Sequence, residues 1–404
     1  MNILFLTMSS GLRKIEVSGI YSDLIRKFRD KGNNVYVIAP NERRSKRKTE
    51  LIESEGFHFL GVRTFNLSKT NVIEKGIGQV LMEYQFARAL KKYWGDICFD
   101  LILYSTPPIT FTKVIKYAKS QNPHAITYLL LKDIFPQNAV DIGMLSKSGV
   151  KGLLYKSFRR KEKLLYRISD YIGCMSPANV RYLIEHNNEI NPDKVEIAPN
   201  SYDVPIEQKI NNSSEIREKY NLPQNKPIFI YGGNMGKPQG IPFLIECMKA
   251  VAHREDCHFV IIGNGTEYSK LRSWYDEANP TAVSLFKAIP KEDYDKLASS
   301  CDVGLIFLDY RFTIPNYPSR LLPYIMEHKP ILAVTDPICD TGLLAEENGY
   351  GYWCPSNSVE RFVEVVNKML DSDIKLMGDN GFNFFMNNYT TEHTYNTIVK
   401  HCKH

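Results

Sequence analysis

The sequence predicts a protein of the α/β class with two doubly wound domains, and three observations lead to this prediction. The chain has 404 residues, which is more than a single hydrophobic core usually serves. Short apolar segments alternate with amphipathic segments of helical period, which is typical of parallel sheets. The alternation begins again near residue 226, after a polar segment at 199–225 that is rich in Asn, Ser and Pro. We therefore expect two Rossmann-like domains, one over 1–200 and one over 201–384.

The predicted strands can be named in chain order. In the first domain they are NILFLTM, NVYVIAP, DLILYS, ITYLLL and YIGCMS, with helices such as IYSDLIRKFRDKG and EYQFARALKKYW between them. In the second domain they are PIFIYGGN, HFVIIGNG, AVSLFKAI, DVGLIFL and PILAVTD. Strands separated by helices pair in parallel through right-handed crossovers. The last helix, TTEHTYNTIVKHCK, follows an aromatic loop, FNFFMNNY, and is expected to cross back, so that 385–404 joins the first domain.

The net charge of +6 is unevenly distributed along the chain. Residues 1–200 carry 31 Lys and Arg against 19 Asp and Glu, a balance of +12, whereas the remainder carries 20 against 26, a balance of −6. A basic half indicates contact with an anionic surface or substrate. Because no zinc finger, recognition helix or RNP-like motif accompanies the charge, nucleic acid is not the expected partner.

The apolar runs, the first residues and the cysteines of the sequence together predict the cellular compartment. No apolar run reaches the roughly 20 residues that span a bilayer, and the start, MNILFLTMSSG, has no basic leader. The eight cysteines form no C-x-x-C pair and no metal-ligand spacing, which favours reduced, buried thiols. We expect a cytoplasmic protein.

A glycine-rich segment follows the first predicted strand of the second domain. Glycines let a backbone approach a phosphate, a helix N-terminus offers unpaired N–H groups, and a lysine adds a point charge. These features indicate a nucleotide diphosphate site, and a tight turn with a solvated lysine is the alternative. Gly263 and Gly265 repeat the pattern after the next strand, where a purely structural turn is equally open. The candidate residues of the first segment are Gly233, Asn234, Gly236, Lys237, Gln239 and Gly240.

A second anion-binding signal lies in PNYPSRLLPYIMEHKPILA at 315–333. Ser319 and Arg320 open a predicted short helix, where the helix dipole and the guanidinium together favour an anion. An ordinary helix start with an exposed arginine is the alternative.

The order of these segments resembles the retaining family-4 glycosyltransferases of the GT-B fold, in which two Rossmann-like domains face each other across a cleft. The resemblance is closest to the subgroup that builds bacterial capsule and O-antigen repeats, which includes transferases of N-acetyl-fucosamine. That subgroup has a G-N-x-G-x-x-Q-G loop, matched at 233–240, and a P-S-K/R-L helix start, matched at 318–321. Its R-D-L-W-P segment is similar to LLLKDIFPQNAVDIGML in the first domain. The resemblance covers nearly the whole chain.

The resemblance implies an activity and its partners. One sugar would pass from a nucleotide donor, expected to be UDP-linked, to a saccharide carried on a polyprenyl diphosphate lipid. The diphosphate would be held by the glycine-rich loop with Ser319 and Arg320, and the base would lie near Ile289. Gly19 would lie in a loop that lets the donor phosphates approach, although a simple turn glycine is equally open. No metal is expected, because cations and helix ends neutralise the phosphates and no D-x-D motif occupies a suitable loop.

The chain departs from the family pattern at one point. The family places two glutamates eight positions apart, the second of which holds the ribose, and this chain has Pro315 and Pro323 there. Glu327, one helical turn later, is our hypothesis for a substitute. The departure keeps a non-catalytic donor-binding or scaffold subunit open as an alternative. A sugar-nucleotide epimerase of the same fold is a further alternative, although it needs a cluster of carboxylates and a histidine that the sequence does not indicate.

Two features of the first domain point to the acceptor side. Asp133 directly follows the apolar strand ITYLLL, where a carboxylate could orient or deprotonate an acceptor hydroxyl or stabilise positive charge on the sugar ring. A helix-capping Asp is the equal alternative. Basic residues also cluster in a loop after strand two and in a predicted helix at 151–167, interleaved there with leucines such as Leu165. These clusters predict peripheral binding to the anionic inner face of the cell membrane, with a solvated helix face and a mobile loop as the alternative. Their residues are Arg43, Arg44, Arg47, Lys156, Arg159, Arg160 and Lys163.

Overall fold

A computed structural model describes residues 1–67, 70, 72–204 and 213–402, and it divides the chain into two compact units. Unit 1 comprises Met1–Asp203 with Tyr389–His404, and unit 2 comprises Val204–Asn388. The structure thus places the boundaries three to four residues beyond the positions expected from the sequence. Part of the predicted polar join, 205–212, lies outside the described residues.

Unit 1 is built on an eight-stranded sheet in the order β3-β4-β2-β1-β5-β6-β7-β8. Neighbouring strands are parallel except for β3 and β4, which form an antiparallel pair. The sequence analysis missed β3, β4 and β8. The strands are β1 Asn2–Leu6, β2 Asn34–Glu42, β3 Glu50–Ser54, β4 Phe57–Thr64, β5 Leu101–Ser105, β6 Ile126–Leu131, β7 Tyr171–Cys174 and β8 Val195–Ile197.

Helices cover both faces of this sheet. Leu4 and Leu6 of β1 point to one helical layer, and Ile3 and Phe5 point to the other, so the strand is apolar on both sides. The first layer contains Phe86 and other residues of α2, α3 and α5, and the second contains residues of α1. The helices are α1 Ile20–Asp30, α2 Val72–Trp94, α3 Thr112–Gln121, α4 Gln137–Asp141, α5 Gly149–Ile168 and α6 Pro177–Glu185.

Unit 2 contains a six-stranded, fully parallel sheet in the order β11-β10-β9-β12-β13-β14. This is the doubly wound order, in which chain direction across the sheet reverses between β9 and β12. Only β14 was missed by the sequence analysis. The strands are β9 Ile228–Asn234, β10 His258–Asn264, β11 Val283–Lys287, β12 Val303–Phe307, β13 Ile331–Thr335 and β14 Gly351–Pro355. The helices are α7 Ser213–Lys219, α8 Ile241–Ala250, α9 Tyr268–Ala278, α10 Lys291–Ser299, α11 Leu321–Met326, α12 Thr341–Glu347, α13 Val359–Leu370 and α14 Ile374–Asn388.

The last helix, α15 Thr391–Val399, packs on unit 1. Its Tyr395 ring lies 5.1 Å from the ring of Phe28 in α1, and Glu392 pairs with Lys31 at 2.9 Å. The aromatic segment before it is not a loop, as the sequence suggested, but the second half of α14. Phe385 in that segment is fully buried, and the chain re-enters unit 1 at Tyr389. Within the described ranges, no helix is both long and apolar enough to cross a membrane.

Candidate functional site

The reversal point of the unit 2 sheet brings two loops together at the carboxyl ends of the strands. One loop follows β9, and the other follows β12. The backbone N–H of Asp309 donates to the carbonyl of Pro238 at 2.9 Å and joins them. Gly240 is left-handed, with φ 58°, and its backbone lies against Asp309. Ligands of doubly wound sheets bind at this point, so the predicted glycine-rich loop lies where a ligand is expected.

The loop after β9 is shaped by its own polar side chains. Gln239 Oε1 accepts hydrogen bonds from Asn234 Nδ2 at 2.9 Å and from the backbone N–H of Gly236 at 3.2 Å. Lys237 is exposed and forms no ion pair with any described residue. The Asn and Gln of the motif therefore hold the loop in shape, whereas Lys237 remains available to a ligand.

Gly263 and Gly265 allow the loop after β10 to pack directly on the loop after β9. A Cβ atom on Gly263 would overlap the carbonyl of Gly233, and one on Gly265 would overlap the carbonyl of Met235. The N–H of Met235 also donates to Asn264 O at 2.9 Å. The structure thus gives these two glycines a packing reason, which is the alternative that the sequence left open.

Arg320 lies against the glycine-rich loop. Its Cζ atom is 4.5 Å from the centre of the Tyr231 ring. Gly233 has φ 131°, and a Cβ atom there would lie 3.1 Å from Arg320 Nη2. Arg320 Nη1 is buried and has no hydrogen-bond partner among the described residues. A buried charged donor without a partner costs about 1–3 kcal/mol or more. An oxyanion beside Gly233 would remove that cost, because guanidinium binds phosphate oxygens strongly.

Two tyrosines that the sequence analysis did not select fix the beginning of this loop. The hydroxyl of Tyr324 donates to Ile230 O at 3.1 Å and accepts from the N–H of Gly232 at 3.2 Å. A Cβ atom on Gly232 would overlap the hydroxyl of Tyr294. Tyr324 belongs to the same 315–333 segment as Arg320. Its place in that candidate segment was the sequence signal that could have identified it.

The remaining donor-side candidates lie at the same edge of the sheet. Ser319 directly precedes Arg320, and its carbonyl accepts from the N–H of Leu322 at 3.3 Å in the turn that starts α11. Ile289 is half-buried and follows β11, the edge strand two positions from β9. Among the residues that the structure describes, no group of three or more His, Cys, Asp and Glu side chains could hold a metal ion.

Arg320 and Glu327 flank the two ends of α11. Arg320 precedes its amino end, whereas Glu327 follows its carboxyl end, seven residues after Arg320. The Glu327 carboxylate lies 3.7 Å from Lys329 Nζ, which donates to Ser299 O at 3.2 Å. Ser299 and Lys329 precede β12 and β13. The charges of Glu327 and Arg320 both act on Tyr294, whose hydroxyl lies beside Gly232. The hypothesis that Glu327 replaces the ribose-binding glutamate stays a prediction.

In unit 1, Asp133 follows β6 beside the corresponding reversal point between β1 and β5. Its backbone N–H and carbonyl both bond to Thr106 Oγ1 at 3.3 Å. Burial raises the pKa of its carboxyl to about 6. Burial also raises the pKa of the neighbouring Tyr21 to about 12, against the effect of a hydrogen bond from Ser105, and the Asp133 charge raises it further. The nearby α4 begins at Gln137 with no side-chain cap, so the capping alternative for Asp133 is not what the structure shows.

Gly19 is placed at the amino end of α1, where its own N–H is already used. That N–H donates to Asp23 Oδ1 at 2.8 Å. Its backbone is extended, with φ 173°, so conformation does not require glycine there. A Cβ atom would approach Ser22 Oγ to 3.3 Å, which means that the missing side chain provides space only.

The basic residues of α5 divide into two groups. Arg159 donates to Glu162 and to Asn187 Oδ1, each at 2.6 Å, and Lys163 pairs with Glu189 at 2.9 Å. Leu165 is buried in the core. Arg159 and Lys163 are therefore already paired with acidic residues of unit 1. Peripheral membrane binding by the basic clusters stays a prediction. The exposed basic candidates are Lys156, Arg160, Arg43, Arg44 and Arg47.

Part of unit 2 matches a known family. Residues 212–380 match the family model described as Glycosyl transferases group 1. A Pseudomonas aeruginosa protein, described as a probable glycosyltransferase and named WbjE, is 22% identical over 338 residues, which cover 80% of this chain and 78% of that protein.

Solved structures share the fold along the whole chain. Sucrose-phosphate synthase from Thermosynechococcus elongatus has a TM-score of 0.73 at 14% identity and covers 99% of this chain and 98% of its own. HepE from Anabaena, solved in complex with UDP, has a TM-score of 0.68 at 13% identity and covers 99% of both chains. These likenesses show the GT-B fold. The family match and the relative show that the chain is a glycosyltransferase with a group 1 domain over 212–380.

Proposed function

We propose that this glycosyltransferase moves a sugar from a UDP donor to a lipid-linked saccharide in the synthesis of a bacterial surface polysaccharide, with retention at the anomeric carbon. The observation that carries the proposal is the buried Arg320 Nη1, which has no described partner and lies beside Gly233. The HepE structures that share the fold contain UDP or UDP-glucose, which supports a donor of this class.

The donor diphosphate is bound by cations of unit 2 in this proposal. Arg320 offers a planar pair of N–H groups, and Lys237 offers a flexible ammonium from the loop itself. Because these two charges neutralise the leaving diphosphate, no divalent metal is needed. We expect activity to persist in excess EDTA, and loss of activity that manganese restores would contradict this part.

Unit 1 contributes the acceptor chemistry in this proposal. With a pKa of about 6, Asp133 is mostly ionised at neutral pH and still basic enough to accept a hydrogen bond from an acceptor hydroxyl. The leaving diphosphate would assist removal of the acceptor proton. Because the acceptor is lipid-linked, we place the enzyme on the cytoplasmic face of the cell membrane.

Isothermal titration with UDP tests the donor site. Arg320→Met is expected to weaken UDP binding at least about tenfold, because a charged hydrogen bond contributes roughly 1.5–3 kcal/mol. Arg272→Met is the matched control, since Arg272 is an exposed arginine of unit 2 that pairs with Asp276 on the surface of α9. Equal UDP affinity of both variants would contradict the proposal.

Product analysis separates the proposal from its alternatives. Wild-type protein with a UDP-sugar and a polyprenyl diphosphate saccharide should yield UDP and an extended saccharide. UDP binding without turnover would favour a donor-binding subunit. A changed sugar nucleotide formed without acceptor would favour an epimerase.

A further inference from the structure

Over 77–86, α2 carries large apolar side chains on both sides. Its inner side, including Met82 and Phe86, is buried in the core of unit 1. Its outer side exposes four large side chains, with Ile77 50% and Tyr84 53% exposed. A helix that is apolar all around is normally buried or in contact with lipid, and this one is covered on one side only. The outer residues are Ile77, Val80, Leu81 and Tyr84.

A second exposed apolar group lies around the start of α5. Val150 is 86% and Leu153 is 70% exposed, and the neighbouring Leu154 and Met144 are also exposed. These side chains lie in the first turns of the helix and in the segment just before it. Leu153 and Leu154 at the start of α5 are therefore exposed, whereas Leu165 in its second half is buried in the core.

Both groups lie at the carboxyl end of the sheet, which is also the end that carries Asp133. The helices α2, α3 and α5 follow parallel strands of unit 1, so each begins at that edge. In this layer α2 packs on α3, and α3 packs on α5. Lys113, in the first turn of α3, connects to α2 because its Nζ lies 3.7 Å from the centre of the Tyr84 ring.

The surroundings of these apolar groups are cationic. The exposed loop 43–48 carries five Lys and Arg residues. Its Arg44 N–H donates to Asn66 Oδ1, and Asn66 Nδ2 donates to Glu74 of α2, each at 2.9 Å. Residues 142–161 contain no Asp or Glu. Over 77–90 the only acid is Glu83, which is buried and bonds to the amino end of α3.

We infer that loop 43–48, the outer side of α2 over 77–84 and residues 144–154 form one surface, the α2–α5 surface, that binds an anionic lipid bilayer. Apolar side chains would enter the interface, and each surrounding cation near an anionic leaflet contributes about 1 kcal/mol. A protein partner fits less well, because protein interfaces are depleted in lysine at their cores. The inference deepens the proposed function, because a lipid-linked acceptor would be presented at the edge that carries Asp133.

Vesicle flotation tests the inference. Wild-type protein should float with vesicles of phosphatidylglycerol and phosphatidylcholine, and binding should fall in high salt or with phosphatidylcholine alone. The triple variant Ile77→Ser/Val80→Ser/Leu81→Ser and the double variant Val150→Ser/Leu153→Ser should each bind about tenfold more weakly. The control is Leu343→Ser/Leu376→Ser, which removes exposed leucines of unit 2. Equal binding by all variants would overturn the inference.

Fluorescence of Tyr84→Trp reports contact directly, even if a serine variant fails to fold. Its emission should shift to the blue and be quenched by brominated lipid on anionic vesicles, beyond the response of the three native tryptophans. Emission unchanged by vesicles would overturn the inference. A dimer seen by sedimentation velocity and abolished by the triple variant would identify a second copy as the occupant and also overturn it.

The two proposals fail in distinguishable ways. If the inference alone is wrong, the protein transfers sugar to a soluble short-chain acceptor but does not float with vesicles. If the proposed function alone is wrong, vesicle binding through the α2–α5 surface persists while no acceptor is extended. The serine variants should retain wild-type UDP affinity and soluble-acceptor activity, because none of the changed residues lies at the donor loops.

Discussion

At the scale of single residues, Tyr231 and Gly233 determine how the guanidinium of Arg320 is placed. The Tyr231 ring supports the guanidinium on one side, and the bare backbone of Gly233 leaves the other side open. A lysine at this position would keep the charge but lose the planar fork that stacks on the ring. In the proposed function, Arg320, Tyr231 and Gly233 would therefore bind the diphosphate together.

Asp133 gives a prediction about the pH dependence of activity. Because its pKa is raised to about 6, the ionised form, which in the proposed function accepts a hydrogen bond from the acceptor hydroxyl, is lost as the pH falls through 6. We expect kcat/KM to rise with pH up to about 6 and then to level off. Asp133→Asn should lower the rate by about 10²-fold or more and remove this limb of the profile. A pH profile of the variant parallel to that of the wild type would show that another group titrates.

The same residue predicts a change in stability. A carboxyl whose folded pKa exceeds its unfolded value of 3.8 favours folding most below pH 3.8, and that contribution is lost as pH rises through about 6. Asp133→Asn should therefore be more stable than wild type at pH 7, by about 1–3 kcal/mol. The two proteins should be nearly equal in stability below pH 4. Denaturant unfolding at both pH values measures the difference, and a constant offset would contradict burial as the cause.

At the scale of elements, the donor-side edge of unit 2 is made of loops packed on loops. The glycines at 263 and 265 bring the second loop against the first, and Gln239 holds the first loop from within. The consequence is a rigid backbone surface that presents Gly233, Asn234 and Lys237 to solvent. Gly263 and Gly265 therefore have a structural role, because they let the two loops pack together.

This packing predicts the effect of Gly263→Ala. The added methyl group would overlap Gly233 O, so the two loops must separate. We expect a loss of about 2–4 kcal/mol in the free energy of unfolding, together with weaker UDP binding. Gly11→Ala is the control, because the nearest atom to a Cβ there is 3.8 Å away. If Gly263→Ala bound UDP normally, the supporting role of the second loop would be refuted.

The elements also differ in how well local pattern predicts them. Central strands such as β1 and β9 contain uninterrupted buried apolar runs, ILFL and IFIY, so composition alone reveals them. By contrast, β3 is half-exposed at the edge of its sheet, and β8 has three residues that are not buried. Their pairing is set by neighbouring strands, which local sequence does not contain.

At the scale of the whole molecule, the two units differ in charge. The basic excess lies in the half that forms most of unit 1, and it surrounds exposed apolar helix faces. In unit 2, Arg320 and the exposed Lys237 lie at the glycine-rich loop. The last segment then returns to unit 1, where Ile398 is fully buried beside Phe28 of α1.

This return predicts that the C-terminal helix stabilises unit 1 only. Ile398→Ala removes buried apolar volume and should cost about 2–5 kcal/mol. Hydrogen exchange should then rise in α1 and β1 and stay unchanged in β9 and β10. Ile338→Ala, at an exposed position of unit 2, provides the control. Faster exchange in unit 2 instead of unit 1 would contradict this prediction.

The sequence by itself determined the α/β class, the two domains, the glycine-rich loop and the Ser-Arg helix start, because each is encoded in adjacent residues with a recognisable period or spacing. Only the tertiary structure decided that Glu327 lies near Lys329, that Arg159 and Lys163 pair with Glu162 and Glu189, and that α2 exposes an apolar side. These facts depend on which distant residues meet, and that is fixed by the packing of strands and helices that are far apart in the chain.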